Sequence, residues 1–456
     1  MALDALATSI KNLLPARGMW TAAQIGAATG KSQPAVSRAL SQLAADASQG
    51  LLVTGAARST RYAQVQTIFS RWPGQQPLFA VDASGNSVRW GSLFLLGDNH
   101  VRVVSEPAFG SFESLSQGQL PWFLQSLQPQ GFLGRLWGQQ LGFVNANPDA
   151  WTLQETLHAI LASEHDAPGA FTLGDETGEL LPEAPLDAAR RGAHYDSIAA
   201  DVAQTLPAGS SAGGEQPKFV AHLNAPEGYQ RLVVKFSPPR GTPFGERWHD
   251  LLWAEHIASE VLEQGKLAQG GVSAAKSRIV QSARRTYLES IRFDRVGIVG
   301  NRHVLPLSAL HGPFVGGPQQ HWVASCEGLA QRGLLTGDDE HQVRLLRDFG
   351  RLIGNTDMHF GNLNFFVDDL ARISKPHFTL APVFDMLPMV WRPSEFRDEM
   401  GYTPFAAPQK PPGSAATWGL ARGLAVQFWQ RLAGCDAVSV GLRDVAQVQA
   451  ERTLKA

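Results

Sequence analysis

Cysteine is nearly absent from the sequence, because 456 residues contain only Cys326 and Cys435. Two thiols cannot form the set of disulfides that stabilises small secreted proteins, so a disulfide-rich secreted scaffold is excluded. Long apolar runs are missing as well. None approaches the ~18 residues of a membrane-spanning helix, which excludes a membrane protein. Glycine and proline, with 45 and 28 residues, are too few for a fibrous or low-complexity chain.

The first residues also lack the features of a secretory signal. Asp4 and Lys11 stand where a signal peptide needs an uninterrupted apolar segment. Hydrophobic residues nevertheless make up 44% of the chain, which is enough to bury a sizeable core, and the length predicts about three domains. We therefore expect a globular cytoplasmic protein with no membrane partner.

Charge is distributed unevenly along the chain. Residues 1–65 contain six basic and two acidic side chains and so carry +4, whereas the whole chain carries −2. The remainder must therefore carry −6. A small basic unit on a mildly acidic body predicts that any contact with nucleic acid is made by the N-terminal unit.

The first 66 residues have the pattern of a winged helix-turn-helix. Three predicted helices and a hairpin occupy residues 3–14, 22–29, 33–44, 51–55 and 60–65. The third helix keeps its polar side chains on one face, which in this fold enters the major groove of DNA, while the hairpin meets phosphates. The candidate DNA-binding residues are Gln33, Ser37, Arg38 and Ser41 on that helix and Arg58 and Arg61 on the hairpin.

A second interpretation of this unit stays open. Short helix-turn-helix segments also occur as ordinary packing units, and two arginines can lie on a solvated hairpin. The combination of basic charge, polar helix face and hairpin favours DNA binding, and with it association with the nucleoid. Winged helices often bind palindromic sites by two-fold symmetry, so a homodimer is compatible with this prediction.

Two features further along the chain favour binding of a nucleotide. In the glycine-rich segment at residues 210–218, Gly213 and Gly214 allow backbone N–H groups to approach phosphate oxygens. Lys235 ends an apolar strand 21 residues after Gly214 and can place a positive charge on phosphates, with Glu255 on the next predicted helix to hold it. Each feature alone has an ordinary explanation, a turn for the glycines and a solvent-reaching lysine at a strand end.

A more specific pattern joins Asp357 and Asn362, which lie five residues apart between an apolar helix and an apolar strand. Protein kinases use this D-x-x-x-x-N spacing, in which Asp accepts the proton of the attacking hydroxyl and Asn binds Mg²⁺. Asp385 lies between apolar runs, where a carboxylate is costly without a cation, and fits a second Mg²⁺ ligand. An Asx turn is the alternative for the loop. The sequence Phe384-Asp385-Met386 lacks the glycine of the kinase DFG motif.

Together these motifs resemble the HipA family of bacterial Ser/Thr kinase toxins, in the variant with an N-terminal helix-turn-helix fused to the kinase. The resemblance covers about residues 75–400. It rests on five features in the same order, namely S-x-x-G-x-Q-x-K at 211–218, Lys235, IRFDR at 291–295, IGNTDMHFGN at 353–362 and PVFD at 382–385.

The resemblance implies an α+β architecture. A winged helix-turn-helix precedes a HipA-like bilobal kinase fold with a mixed α/β N-lobe and an all-α C-lobe. The implied division is a DNA-binding domain at 1–66, a HipA-like N-terminal subdomain at 75–140, a kinase N-lobe at 141–315 and an all-helical C-lobe at 316–456.

The resemblance also implies ATP and Mg²⁺ as cofactors. Asp357 is the implied catalytic base, and Asn362 and Asp385 are the implied metal ligands. Ser211, with Ser210 as a neighbouring candidate, matches the position at which family members phosphorylate themselves and switch the kinase off. The implied ATP-binding residues are Ala212, Gly213, Gly214, Glu215, Lys235, Ile291, Phe293, His359, Asn362 and Asp385.

The partners of the protein are less well defined by the sequence. The usual family member is silenced and carried to DNA by a separate antitoxin, and a fused DNA-binding unit puts the need for one in doubt. The protein substrate is not encoded in any motif. A DNA-binding regulator with a weakly active kinase fold, a metal-dependent DNA-cleaving toxin with the same acidic residues and a small-molecule phosphotransferase are the alternatives.

Overall fold

The structure of the chain is a computed structural model that describes residues 3–163, 166–174, 184–205, 216–269, 271–393, 401–413 and 415–456. The described part combines helices with mainly antiparallel sheets, in agreement with the predicted α+β class. None of its helices is long and apolar enough to cross a membrane. The predicted phosphate loop and phosphorylation site lie outside the described residues, and these are Ser210, Ser211, Ala212, Gly213, Gly214 and Glu215.

Three helices and a hairpin form the N-terminal unit. Its elements are α1 (Ala5–Leu13), α2 (Ala22–Thr29), α3 (Gln33–Ala44), β1 (Leu51–Thr54) and β2 (Arg61–Gln64). A capping box between Thr21 and Gln24 starts α2, and Gly30 ends it in the left-handed conformation with a φ of 66°. Pro34 lies in the first turn of α3, where it costs no helical hydrogen bond. The three helices share one apolar core.

An antiparallel sheet and two helices follow. Their elements are β3 (Gln75–Val81), β4 (Ser87–Leu96), β5 (His100–Ser105), β6 (Glu113–Gln117), α4 (Gly131–Gln140), α5 (Leu153–Ala162) and β7 (Phe171–Leu173). We call this the second sheet, after the β1–β2 hairpin, and its strand order is β6-β5-β4-β3-β7. Strand β7 pairs with β3 across the predicted boundary at residues 140 and 141, and the domain division stays a prediction.

The N-terminal unit packs directly on this sheet. Ala63 of β2 forms a buried apolar cluster with Phe94 and Leu96 of β4. The backbone N–H of Gln66 donates to the carbonyl oxygen of Leu95 at 2.8 Å, so the connecting segment continues the hydrogen bonding of the sheet. Side-chain packing and backbone hydrogen bonding therefore both hold the N-terminal unit against the sheet.

A third sheet, with two helices, contains the strands expected to carry the phosphate-binding residues. Its elements are β8 (Leu186–Asp187), α6 (Arg191–Thr205), β9 (Lys218–Ala225), β10 (Gly228–Phe236), α7 (Pro243–Gln269), β11 (Ser277–Gln281) and β12 (Thr286–Ile291). The strand order is β11-β12-β10-β9-β8. Helix α6 packs on this sheet, where the Tyr195 hydroxyl donates to the buried Glu289 carboxylate at 2.8 Å.

Five α-helices and five short strands follow in the described part of the chain, and the helices contain most of the residues of these elements. They are β13 (Arg295–Val296), β14 (Gly300–Asn301), β15 (Val304–Pro306), α8 (Leu307–Phe314), α9 (Trp322–Gln331), α10 (Gly337–Leu352), β16 (Asn364–Val367), β17 (Phe378–Leu380), α11 (Trp418–Ala433) and α12 (Val440–Leu454). The prediction of an all-helical C-lobe is wrong in one respect. Strand β16 pairs with both β15 and β17, because its aromatic and β-branched residues favour a buried strand.

The glycine at the β4–β5 turn tests the docking of the N-terminal unit. A Cβ at Gly97 would overlap the backbone of Pro15, so Gly97→Ala must push the two units apart. We expect a loss of about 1–3 kcal/mol in the free energy of unfolding, measured by denaturant titration. The control is Gly419→Ala on α11, whose methyl group meets open space and should not destabilise the protein. Equal stability of the two variants would contradict the described docking.

Candidate active site

Lys235 lies in a buried group of charges near the end of β10. Only 7% of the residue is exposed, and its Nζ donates to Oε1 of Glu255 on α7 at 2.6 Å. The same ammonium group pairs with the carboxylate of Asp385. Because an unpaired buried charge costs several kcal/mol, this contact holds β10, α7 and the segment after β17 together.

Burial lowers the pKa of the Lys235 ammonium, and the carboxylate of Glu255 opposes that shift. Lys218, opposite Lys235 in the β9–β10 register, lowers the pKa further. Oε2 of Glu255 is buried and has no hydrogen-bond partner among the described residues. The charged form of Lys235 therefore depends on nearby anions, which a polyphosphate could also supply.

The loop with Asp357 and Asn362 is fixed at its beginning and at its end. Helix α10 stops at Gly354, which has a φ of 75°, and the N–H of Asn355 donates to the carbonyl oxygen of Gly350 at 2.8 Å. The side-chain amide of Asn362 donates to the backbone oxygen of Asp357 at 2.9 Å. Asp357 itself is half-buried, so it is partly accessible to solvent.

Asp385 has an unusual backbone. Its φ of 56° places a non-glycine residue in the left-handed region, which costs free energy unless the surroundings hold it. Its N–H donates to Oε1 of Glu255 at 3.3 Å, and its carbonyl oxygen accepts from Nδ2 of Asn355 at 3.3 Å. Glu255 and Asn355 thus hold the backbone of Asp385, and Lys235 pairs with its carboxylate.

The oxygen atoms of Asn362 and Asp385 suit a hard cation. The bond from Asn362 Nδ2 to Asp357 orients the amide, so that Oδ1 is the acceptor that a cation could use. Mg²⁺ prefers oxygen ligands, keeps several waters and often takes the remaining ligands from substrate phosphates. In the described part of the chain no three His, Cys, Asp or Glu side chains form a metal-binding group. Two protein ligands with phosphate and water still fit Mg²⁺.

The predicted adenine-binding residues flank the end of β12. The N–H of Ile291 donates to the carbonyl oxygen of Lys276 at 2.9 Å. The ring of Phe293 packs against Phe384 with centroids 6.0 Å apart, next to Asp385 in sequence. The predicted hinge thus contacts the segment that carries the predicted metal ligand.

The charged residues of the IRFDR segment form a separate buried cluster. Arg292 contacts Asp294 at 2.9 Å and Asp166 at 2.7 Å, while Arg295 contacts Asp294 at 2.8 Å. Asp166 precedes β7, so the cluster ties the second sheet to the hinge on both sides of Phe293. Burial alone would raise the pKa of Asp294, but the two guanidinium groups outweigh it and hold that pKa well below its usual range.

The predicted DNA-binding residues lie together on the N-terminal unit. Gln33, Ser37, Arg38 and Ser41 are exposed on α3, and Arg58 is exposed on the hairpin. Arg61 is half-buried and donates from one guanidinium nitrogen to the carbonyl oxygen of Thr60 at 3.3 Å. The predicted groove-facing surface is thus available, although no contact with DNA tests it.

The structure connects several of the predicted nucleotide-site residues that it describes, while their roles stay predictions. Lys235 meets Asp385, and Asn362 meets Asp357. His359 is exposed, and its carbonyl oxygen accepts from the indole N–H of Trp322 at 3.0 Å. Sequence reasoning missed Asn355, which lies within the quoted IGNTDMHFGN segment and could have been noticed there. No local sequence pattern marks Asp166 as a partner of Arg292 and Arg295.

Protonation or removal of Asp294 tests the buried cluster. The folded-state pKa of Asp294 lies below its unfolded value, so its stabilisation is present above about pH 4 and is lost as the pH falls further. We expect Asp294→Asn to lower the free energy of unfolding at pH 7 by about 3–5 kcal/mol, because two buried arginines lose a partner. Denaturant titration at pH 7 and at lower pH measures the difference, which should shrink on acidification. A difference independent of pH would contradict this assignment.

Comparisons with known proteins agree with this geometry. Residues 73–180 match the family described as "YjjJ-like toxin, middle domain", and residues 210–433 match "HipA-like C-terminal domain". Toxin YjjJ of Escherichia coli (strain K12) is 35% identical over 411 residues, which cover 87% of this chain and 88% of that protein.

A solved structure shows the same fold. It is the Shewanella oneidensis MR-1 complex of HipA, HipB and operator DNA, of which one chain matches with a TM-score of 0.54 and 16% identity, over 83% of this chain and 96% of that chain. The predicted resemblance to the HipA family is confirmed, whereas the fused helix-turn-helix stays a prediction. The chain belongs to the HipA-like kinase family and is a homologue of toxin YjjJ.

Proposed function

We propose that the protein is an ATP- and Mg²⁺-dependent serine/threonine protein kinase that inhibits growth and carries its own DNA-binding unit. The contact of Lys235 with Glu255 and Asp385, beside the Asp357–Asn362 loop, carries this proposal. A lysine–glutamate pair between a strand and a helix is a component of kinase nucleotide sites, whereas a DNA-cleaving metal site has no need of it. The relative named Toxin YjjJ supports the growth-inhibiting role.

Each residue has a distinct role in the proposed reaction. Asp357 accepts the proton of a serine or threonine hydroxyl, whose oxygen forms a bond to the γ-phosphorus while the bond to the β–γ bridging oxygen breaks and ADP leaves. Lys235 binds phosphate oxygens, and Asn362 and Asp385 hold Mg²⁺. When bound, Mg²⁺ neutralises charge on the phosphates. Ile291 and Phe293 border the adenine, and His359, within the Asp357–Asn362 loop, lies near the phosphates.

Regulation is proposed for the glycine-rich loop. Phosphorylation of Ser211, or of the neighbouring Ser210, adds nearly two negative charges beside Ala212, Gly213 and Gly214. Such a charge repels the phosphates of ATP and so switches the kinase off. Glu215 adds a weaker repulsion of the same sign, which Mg²⁺ offsets.

The N-terminal unit is proposed to bind DNA as a winged helix-turn-helix, with α3 in the major groove and the β1–β2 hairpin on phosphates. The Shewanella structure combines HipA with HipB and operator DNA. Here the predicted DNA-binding elements belong to the kinase chain, so we propose that DNA binding needs no separate antitoxin. A homodimer on a palindromic site and a cytoplasmic, nucleoid-associated location are compatible with the same proposal.

Substitution of the proposed base tests the kinase. Purified full-length protein is incubated with γ-labelled ATP and Mg²⁺, and Asp357→Asn should transfer label about 10²–10⁴-fold more slowly, because the hydroxyl loses its proton acceptor. Asp369→Asn, at an exposed Asx turn, is the matched control. Ser211→Ala should remove the label from the chain itself. Tight ATP binding without transfer would favour the regulator instead, and absence of both would rule out the kinase.

Arginines on the hairpin test DNA binding. Arg58→Ala and Arg61→Ala should each weaken binding to a fluorescent DNA duplex and lower the slope of log K against log salt by about 1, because each removes one phosphate contact. Fluorescence anisotropy between low and physiological salt measures both quantities. Arg372→Ala, an exposed basic residue on the kinase part, is the control and should leave the slope unchanged. Equal slopes for all three variants would refute this surface.

A further inference from the structure

Asn355 lies between the two halves of the candidate active site. Only 4% of the residue is exposed. Its Oδ1 accepts from the N–H of Asp357 at 2.9 Å, and its Nδ2 donates to the carbonyl oxygen of Asp385 at 3.3 Å. One amide thus touches the backbone of the proposed base and that of a proposed metal ligand, 28 residues further along the chain.

The position of this amide is fixed by the backbone before it. Gly354 ends α10 in the left-handed conformation, and a Cβ there would press on the ring of Phe405. The N–H of Asn355 closes the helix end on Gly350. The side chain therefore starts from a rigid helix terminus, and its Nδ2 also contacts Sδ of Met386, next to Asp385, at 3.5 Å. A displacement of either loop must break its bond to Asp357 or its bond to Asp385.

The orientation of the amide follows from its partners. Asp357 offers an N–H, so the oxygen of Asn355 must face it, and Asp385 offers a carbonyl oxygen, so the NH₂ group must face that side. Aspartate has the same shape but cannot donate to Asp385. The serine hydroxyl can still accept from an N–H two residues further on, but serine lacks the NH₂ group that donates to the carbonyl oxygen of Asp385.

We propose that Asn355 is a positioning residue that sets the distance between the base Asp357 and the metal ligand Asp385. The proposal rests on the proposed kinase function. Asp385 is held in a strained conformation, with a φ of 56°, and Asn355 supplies one of its backbone bonds. Without that donor, the backbone of Asp385 keeps, among the described residues, only its bond to Glu255, so the strained conformation relaxes and the carboxylate loses its fixed direction toward Mg²⁺, while Lys235 keeps its pair with Glu255.

Kinetics of Asn355→Ser and Asn355→Asp test this role. We expect kcat to fall about 10–100-fold in both variants, with KM for ATP within about twofold of wild type, because phosphate binding by Lys235 is kept. For Asn355→Ser, the Mg²⁺ concentration at half-maximal rate should rise at least about fivefold. Asn145→Ser is the matched control, because Asn145 forms the same kind of turn on an exposed loop. Wild-type kcat in Asn355→Asp would overturn the proposal, because shape alone would then suffice.

Hydrogen exchange of the full-length protein without nucleotide gives a second readout that does not need activity. Peptides that cover residues 353–362 and 382–387 should exchange at least about fivefold faster in Asn355→Ser, while peptides of α11 should not change. If the wild type neither transfers phosphate nor binds ATP, the kinase proposal fails. The exchange rates alone then test whether Asn355 holds the two segments together. Unchanged exchange in both segments would refute this positioning role of Asn355.

Discussion

One ammonium group, that of Lys235, holds three parts of the kinase fold together. It lies on a strand of the third sheet, pairs with Glu255 on the long helix α7 and also meets Asp385 beyond β17. Removal of any one partner would leave a buried charge uncompensated, so the three elements are tied by the same requirement. The backbone of Asp385 depends on it too, because Glu255 accepts from its N–H. The geometry of the site is thus a consequence of charge neutralisation.

The IRFDR segment shows how a single short motif serves two purposes. Phe293 packs toward Phe384 and the site, whereas Arg292, Asp294 and Arg295 are used entirely in ion pairs and hydrogen bonds with one another and with residues before β7. The hinge is therefore held from the side of the second sheet. Resemblance to a family identifies such a motif, but the contacts explain why its charged residues are there.

Local signals were sufficient for much of the fold. The ends of α2 follow from Thr21 and Gly30, and the helix–loop–strand order around Asp357 follows from the apolar pattern on both sides. The sequence could not predict the pairing of Arg292 with Asp166, which lie 126 residues apart, because no local pattern marks partners at that distance. The pairing of strand β16 with β15 could not be predicted for a similar reason, since β15 lies far from it in the chain and is only three residues long.

The role of Asn355 could not be predicted for a different reason. A polar residue in a polar loop looks ordinary, and only the close approach of Asp385 shows that its amide joins two segments of the chain. By contrast, Lys235 and Glu255 could be paired from sequence, because strand and helix are adjacent in the chain. Sequence reasoning thus found residues with charge and spacing, and overlooked a neutral residue that joins them.

The hydrogen bond between Gln66 and Leu95 and the apolar contact of Ala63 with Phe94 and Leu96 make the N-terminal unit part of the second sheet. The chain is therefore not modular at this point, and cutting it after residue 66 would uncover apolar surface on both pieces. A docked unit also has a fixed direction relative to the body. If α3 binds DNA as proposed, the duplex would lie at one fixed angle to the whole molecule. The smallest distance between two chains bound along a duplex would then be set by the size of the folded protein, and not by the length of a flexible linker.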